Sequence, residues 1–139
     1  MSVQKAKAIW NGTLKEGKGT MQLKEYSGPF TFASRFENGK GSNPEEFVGA
    51  AISGCFSMFL SALISAENLT PESIETTASV HLESDDTGPV ITKIELSSAV
   101  KCSGLDENTF NELTATAKKN CPISRLYAGT EIVLTAKLN

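Results

Sequence analysis

Four side chains in this sequence have the types and spacing for thiol redox chemistry. Cys55 lies in a stretch of twenty residues without a charge, Phe47 to Ala66, and Cys121 follows a helical segment in the run Asn120-Cys121-Pro122-Ile123-Ser124. Arg35 stands twenty residues before Cys55, and Glu45 ten before it. A thiol buried among apolar side chains is inert as a rule, because burial disfavours the thiolate. A permanently cationic guanidinium nearby reverses that, and a second cysteine within reach offers a disulfide partner. Glu45, in a first helical turn, can hold such a guanidinium in a bidentate pair and fix its direction. Cys121, at the start of a turn opened by Pro122, faces exposed amides whose partial positive charge favours it as a leaving or resolving sulfur.

A duller reading of each residue stands beside this one. Free cysteine often serves as a small core hydrophobe, and on spacing alone that is the commoner fate of a helical Cys55. Arg35 can cap a sheet edge, and Glu45 can simply favour the helix dipole. Cys102, between Lys101 and Ser103, has no assignable cation and reads as an incidental thiol. His81, the single histidine, reads as an exposed strand residue opposite the apolar face. With one histidine, a Cys-His pair or a Ser-His-Asp triad has little to build on. Metal-ligand spacing and phosphate-binding glycine loops are absent from the sequence, so neither a metal nor a cofactor is expected.

The elements that must position these residues follow from pattern. Lys5 to Trp10 alternates as a strand, and the glycine-rich run to Leu23 signals a hairpin. Phe30 to Phe36 reads as a strand-to-loop change, followed by a loop over Glu37 to Ser42. Asn43-Pro44-Glu45-Glu46 is an N-cap, a proline at the first helical position and two acids, predicting a helix to about Glu67 or Asn68. Ile74, Thr76, Ala78, Val80 and Leu82 fall on one face of a strand, and a return strand from Val90 to Val100 places Val90, Thr92, Ile94, Leu96 and Val100 on one side. Gly104 to Asn120 is an amphipathic helix turning Leu105, Phe110, Leu113 and Ala117 inward, and Glu131 to Leu138 closes as a strand. The expected class is α+β, with antiparallel sheets packed around a long buried central helix, as a single domain over residues 1–139.

Composition narrows the classes of function. The 139-residue chain is 40% hydrophobic and 21% charged, with a net charge of −3, an ordinary globular balance without the basic patch of a nucleic-acid binder. Three cysteines suit a disulfide scaffold poorly, and the N-terminus has no signal-peptide pattern, so reduced thiols in the cytoplasm are expected. The charge-free stretch is long enough to span a bilayer. Its serines at 53, 57, 61 and 65 keep a polar stripe, and both flanks are acidic. A core helix is therefore expected rather than a membrane span.

The run Arg35 to Glu46, then Gly49-Ala50-Ala51 and Cys55-Phe56-Ser57-Met58, resembles the osmotically inducible protein C and organic hydroperoxide resistance (OsmC/Ohr) family. Trp10-Asn11-Gly12, Gly17-Lys18-Gly19-Thr20, Ile91-Thr92-Lys93-Ile94 and Cys121-Pro122-Ile123-Ser124 agree, so the resemblance covers essentially the whole chain. An arginine close before the helix resembles the OsmC branch. The resemblance implies a peroxidatic Cys55 and a resolving Cys121, with Arg35 and Glu45 positioning and activating the first; Glu46 takes no role. It also implies an intertwined homodimer and a peroxidase for organic hydroperoxides and, less well, hydrogen peroxide. Re-reduction would come from an external dithiol or lipoyl-type reductant, in a setting of oxidative and osmotic stress. Two rivals stay open on the sequence: a redox sensor that does not turn over, and a carrier of hydrophobic ligands.

Overall fold

A turn bounded by Gly12 and Gly17 and a two-residue turn at Lys24 and Glu25 build a three-stranded antiparallel meander: β1 (Lys7–Asn11), β2 (Lys18–Leu23) and β3 (Tyr26–Phe30), in that order. The computed structural model describes residues 1–139, which divide into two compact units, Met1–Glu46 and Phe47–Asn139. In the first unit Gly19 pairs with Trp10 on one side and Phe30 on the other. A Cβ on Gly19 would lie 2.6 Å from the Phe30 ring and 2.5 Å from the Ile9 carbonyl oxygen. Its missing side chain lets the Trp10 and Phe30 rings meet with centroids 5.2 Å apart.

The stretch expected to be a strand-to-loop change is instead a short helix, α1 (Phe32–Phe36). Thr31 and Ser34 explain it. The Ser34 N–H donates to Thr31 Oγ1 at 3.0 Å, and the Thr31 N–H donates to Ser34 Oγ at 2.8 Å. This is a reciprocal capping box with serine in place of the usual Glu or Gln, which hides it in the sequence.

Helix α2 (Pro44–Ala66) starts where expected and ends one residue before Glu67. By length and composition it could cross a membrane, its most apolar 18 residues having a mean hydropathy of 2.0. In the second unit Ile52, Phe56, Leu60 and Ile64, one per turn, are completely buried. Each such side chain contributes roughly 1.5–3 kcal/mol relative to exposure. They pack in one core with Ile94, Leu96 and Val100 of a sheet and with Phe110 and Ala117 of α3 (Glu107–Asn120). Met58, Gly54 and Ala62 on the same helix stay exposed, so this chain alone buries one face of α2. The serine stripe is solvated at Ser65 and turned to the sheet at Ser57. Ser57 Oγ donates to Thr76 Oγ1 at 2.8 Å, which pairs at 2.9 Å with Ser98 Oγ, itself only 2% exposed.

That sheet contains β4 (Ser73–Asp85), β5 (Gly88–Lys101) and β6 (Glu131–Leu138), with β5 central. Two expectations are corrected here. First, β6 runs parallel to β5, so the second sheet is mixed. The connection through α3 and the short α4 (Pro122–Leu126) is a crossover rather than a hairpin, and crossovers return a strand in parallel. Second, β5 does not alternate uninterruptedly. A bulge beside His81 and Leu82 pairs Leu82 with Ile91 and His81 with Lys93, leaving Thr92 over. One extra residue turns the alternation around, so Ile91 packs on the core and Thr92 is exposed. The α3 helix begins at Glu107, behind an Asp106 N-cap, rather than at Gly104.

Candidate functional site

Arg35 and Glu45 are joined within the first unit by a hydrogen-bonded loop. Ser34 Oγ donates to the Ser42 carbonyl at 2.7 Å, and Asn43 Nδ2 donates to the Ser34 carbonyl at 3.2 Å. Asn43 Oδ1 meanwhile accepts the Glu46 N–H at 2.9 Å, so one side chain caps α2 and ties α1 to its start. Gly41, at φ +114°, makes the turn between them, where a Cβ would stand 2.7 Å from the Pro29 carbonyl oxygen. The ends of α1 and α2 are thus set so that their side chains meet. Arg35 Nε lies 3.1 and 3.2 Å from the two Glu45 oxygens, and Nη2 lies 2.6 Å from Oε1. Glu45 is buried while the Arg35 side chain is about one-third exposed. The carboxylate fixes the fork, and one Nη remains to address a further anion.

Arg35 also stacks on Phe36, its guanidinium carbon 5.1 Å from the ring centroid. It forms one wall of a cleft of about 220 Å³ otherwise lined chiefly by aromatic and apolar side chains: Trp10, Leu14, Phe30, Phe32 and Phe36. From the sequence, the apolar wall for an organic peroxide is expected around Cys55, from Phe47, Phe56 and Phe59. Phe56 is instead completely buried in the core, and Phe59 packs against that core. The signal for the cleft was present in Phe30, Phe32 and Phe36 clustered around Arg35. It is hard to read because β3 ends at Phe30 and α1 spans only Phe32–Phe36, too short to show a period that marks a shared face.

The second unit brings the two cysteines together. Cys121 is the C-cap of α3 and the N-cap of α4 at once. Pro122 contributes no N–H, so the next two amides are the first available. The Ile123 N–H donates to Cys55 Sγ at 3.5 Å and the Ser124 N–H to Cys121 Sγ at 3.4 Å. Consecutive amides therefore hold two sulfurs from distant parts of the chain. The thiols are unlinked; Cys121 is completely buried and Cys55 half-buried. Burial raises the Cys55 pKa above the ordinary thiol value. The Ile123 N–H opposes that, and the Cys121 side chain beside it adds to the rise. The two sulfurs are thus adjacent, and the Cys55 thiol is a weaker acid than an ordinary one.

The other candidates resolve simply. Cys102 is buried among core residues and behaves as packing. His81 is half-buried, with Nε2 at 2.6 Å from Glu95 Oε2, in a surface cluster that Lys93 joins at 3.3 Å. The four proposed site residues thus form two pairs, each within its own unit.

Comparison with known proteins places this arrangement. Residues 37–137 match the family described as OsmC-like protein. Over 138 residues the chain is 44% identical to the proteins called peroxiredoxin OsmC of Escherichia coli K12 and Shigella flexneri, covering 97% of this chain and 96% of theirs. Among solved structures, an organic hydroperoxide resistance protein from Elizabethkingia anophelis has the same fold, with a TM-score of 0.79 at 21% identity over 99% of both chains. An OsmC-like protein from Mycoplasma pneumoniae superimposes with a TM-score of 0.78 at 15% identity, covering 99% of this chain and 97% of that one.

Proposed function

Since the chain belongs to the OsmC-like protein family, we propose that it is a thiol-dependent peroxidase that reduces organic hydroperoxides to alcohols. The observation that carries the reading is the pair of unlinked thiols held side by side by successive amides at Ile123 and Ser124. The names of the curated relatives support a peroxide-directed redox activity.

In this reading the Cys55 thiolate attacks the terminal oxygen of the hydroperoxide, the O–O bond breaks and the alcohol departs after taking up a proton. Arg35, aimed by Glu45, stabilises the thiolate and the charge passing to the leaving oxygen. Cys55 is left as a sulfenic acid, which Cys121 converts to a disulfide before further peroxide can over-oxidise it. An external dithiol, of lipoyl or protein type, restores both thiols by exchange. Neither metal nor bound cofactor takes part.

Organic rather than inorganic peroxide is favoured by the aromatic cleft beside Arg35, which offers an alkyl or aryl group a dry wall next to a cation. Activity is assigned to a cytoplasmic homodimer in which the exposed Gly54, Met58 and Ala62 face of α2 is covered by the second copy, completing a buried central helix. In that assembly the 139 residues act as one domain. The test is consumption of an organic hydroperoxide with a dithiol reductant. Cys55→Ser is expected to reduce it to background, and wild-type rates in that variant would end the proposal. A redox sensor would instead give one turnover and stop.

A further inference from the structure

The Ser124 hydroxyl has no part in the chemistry described so far, yet it makes the shortest polar contact of the resolving sulfur. Its Oγ lies 3.0 Å from Cys121 Sγ, and its N–H is 3.4 Å from the same atom. Both residues are buried, Cys121 completely and Ser124 to 5% exposure. A buried hydroxyl with this partner holds the sulfur in one place and, when the thiol ionises, can turn its O–H toward the negative charge. The hydrogen bonds to Cys121 Sγ come from Ser124 and not from a cationic side chain.

We propose that Ser124 is the positioning residue of the resolving step: its hydroxyl and amide hold Cys121 Sγ and stabilise it as a thiolate while it attacks oxidised Cys55. The inference rests on the peroxidase reading above. In that step the Cys121 sulfur bonds to the Cys55 sulfur and the S–O bond of the sulfenic acid breaks. The departing hydroxide takes the proton that Cys121 gave up, leaving as water. Cys121 is oxidised and Cys55 reduced by the same two-electron bond change, so no further oxidant is required.

The experiment follows both oxidation steps by mass spectrometry after one equivalent of an organic hydroperoxide. In Ser124→Ala, sulfenic acid at Cys55 is expected to form at the wild-type rate, while disulfide formation slows about tenfold, the scale of one hydrogen bond to a charged group. When a second equivalent of hydroperoxide is added, sulfinic acid at Cys55 should accumulate, and the disulfide rate should need higher pH. Ser124→Thr keeps the hydroxyl and should restore both. Disulfide formation in Ser124→Ala at the wild-type rate and pH profile overturns the assignment, as does equal slowing in the Thr variant. A second measurement separates this inference from the peroxidase reading. In a Cys55→Ser background, reaction of Cys121 with methyl methanethiosulfonate should slow and move to higher pH when Ser124 becomes Ala. No change there sinks the role of Ser124 whether or not the protein consumes peroxide.

Discussion

The corner around Arg35 and the corner around Cys121 solve opposite problems. The first is polar and local: residues 31 to 46 are tied by a mesh of side-chain-to-backbone hydrogen bonds, and its product is a fixed guanidinium. The second is dry and non-local. Helix α2 and the α3–α4 junction bring together sulfurs far apart in the chain, and burial holds the Cys55 proton on. One region makes charge and the other suppresses it. A buried thiol is protected from casual oxidants, and only a group that supplies a cation restores its nucleophilicity.

The sharpest way to break this contrast is Arg35→Ala, expected to lower peroxide turnover by about 10²–10³, the scale of one preorganised charge-stabilising donor. Arg35→Lys should recover little, because an ammonium cannot make the forked contact with Glu45. The accompanying pH test has a definite sign. Alkylation of Cys55, whose pKa burial raises, should rise with pH, and under the proposed role of Arg35 the Arg35→Ala change should move its midpoint upward by removing a cation that favours the thiolate. An unmoved midpoint would show that the charged corner does not serve the thiol.

Phe56→Ala addresses the dry corner alone. Removing a fully buried ring should cost about 3–5 kcal/mol in denaturant unfolding. Gly41→Ala strikes the polar corner through its backbone. At φ +114° and against the Pro29 carbonyl, it should cost about 1–2 kcal/mol and loosen the placement of Arg35. The smallest effect lies at alkaline pH. Cys55 binds its proton more tightly folded than unfolded, so its contribution to stability is present below the ordinary thiol range and lost as pH rises through the raised value. Cys55→Ser should flatten that alkaline fall.

The contrast also explains which parts the sequence reveals. Asn43-Pro44-Glu45 announces its helix, because caps and proline act on immediate neighbours and so leave a local trace. The Arg35–Glu45 pair spans ten residues and one loop, short enough to anticipate from types and spacing. The capping box at Thr31 escaped notice because Ser34 replaces the usual acid. The parallel placement of β6 and the leftover Thr92 lie deeper, since strand direction and bulges are decided by packing on a distant helix. No pattern marked that successive amides after Pro122 would each take a sulfur. Resemblance to a family suggested the pairing of the cysteines, and the fold supplied its geometry.

The double cap at Cys121 has an energetic corollary. A sulfur engaged in a disulfide is a poorer hydrogen-bond acceptor than a thiolate, so the contacts from Ser124 favour the dithiol over any disulfide formed there. Stabilising the reduced form raises a reduction potential. In the proposed cycle the junction of α3 and α4 would bias the protein toward surrendering its disulfide readily, a property that suits a sulfur reset many times better than a permanent staple.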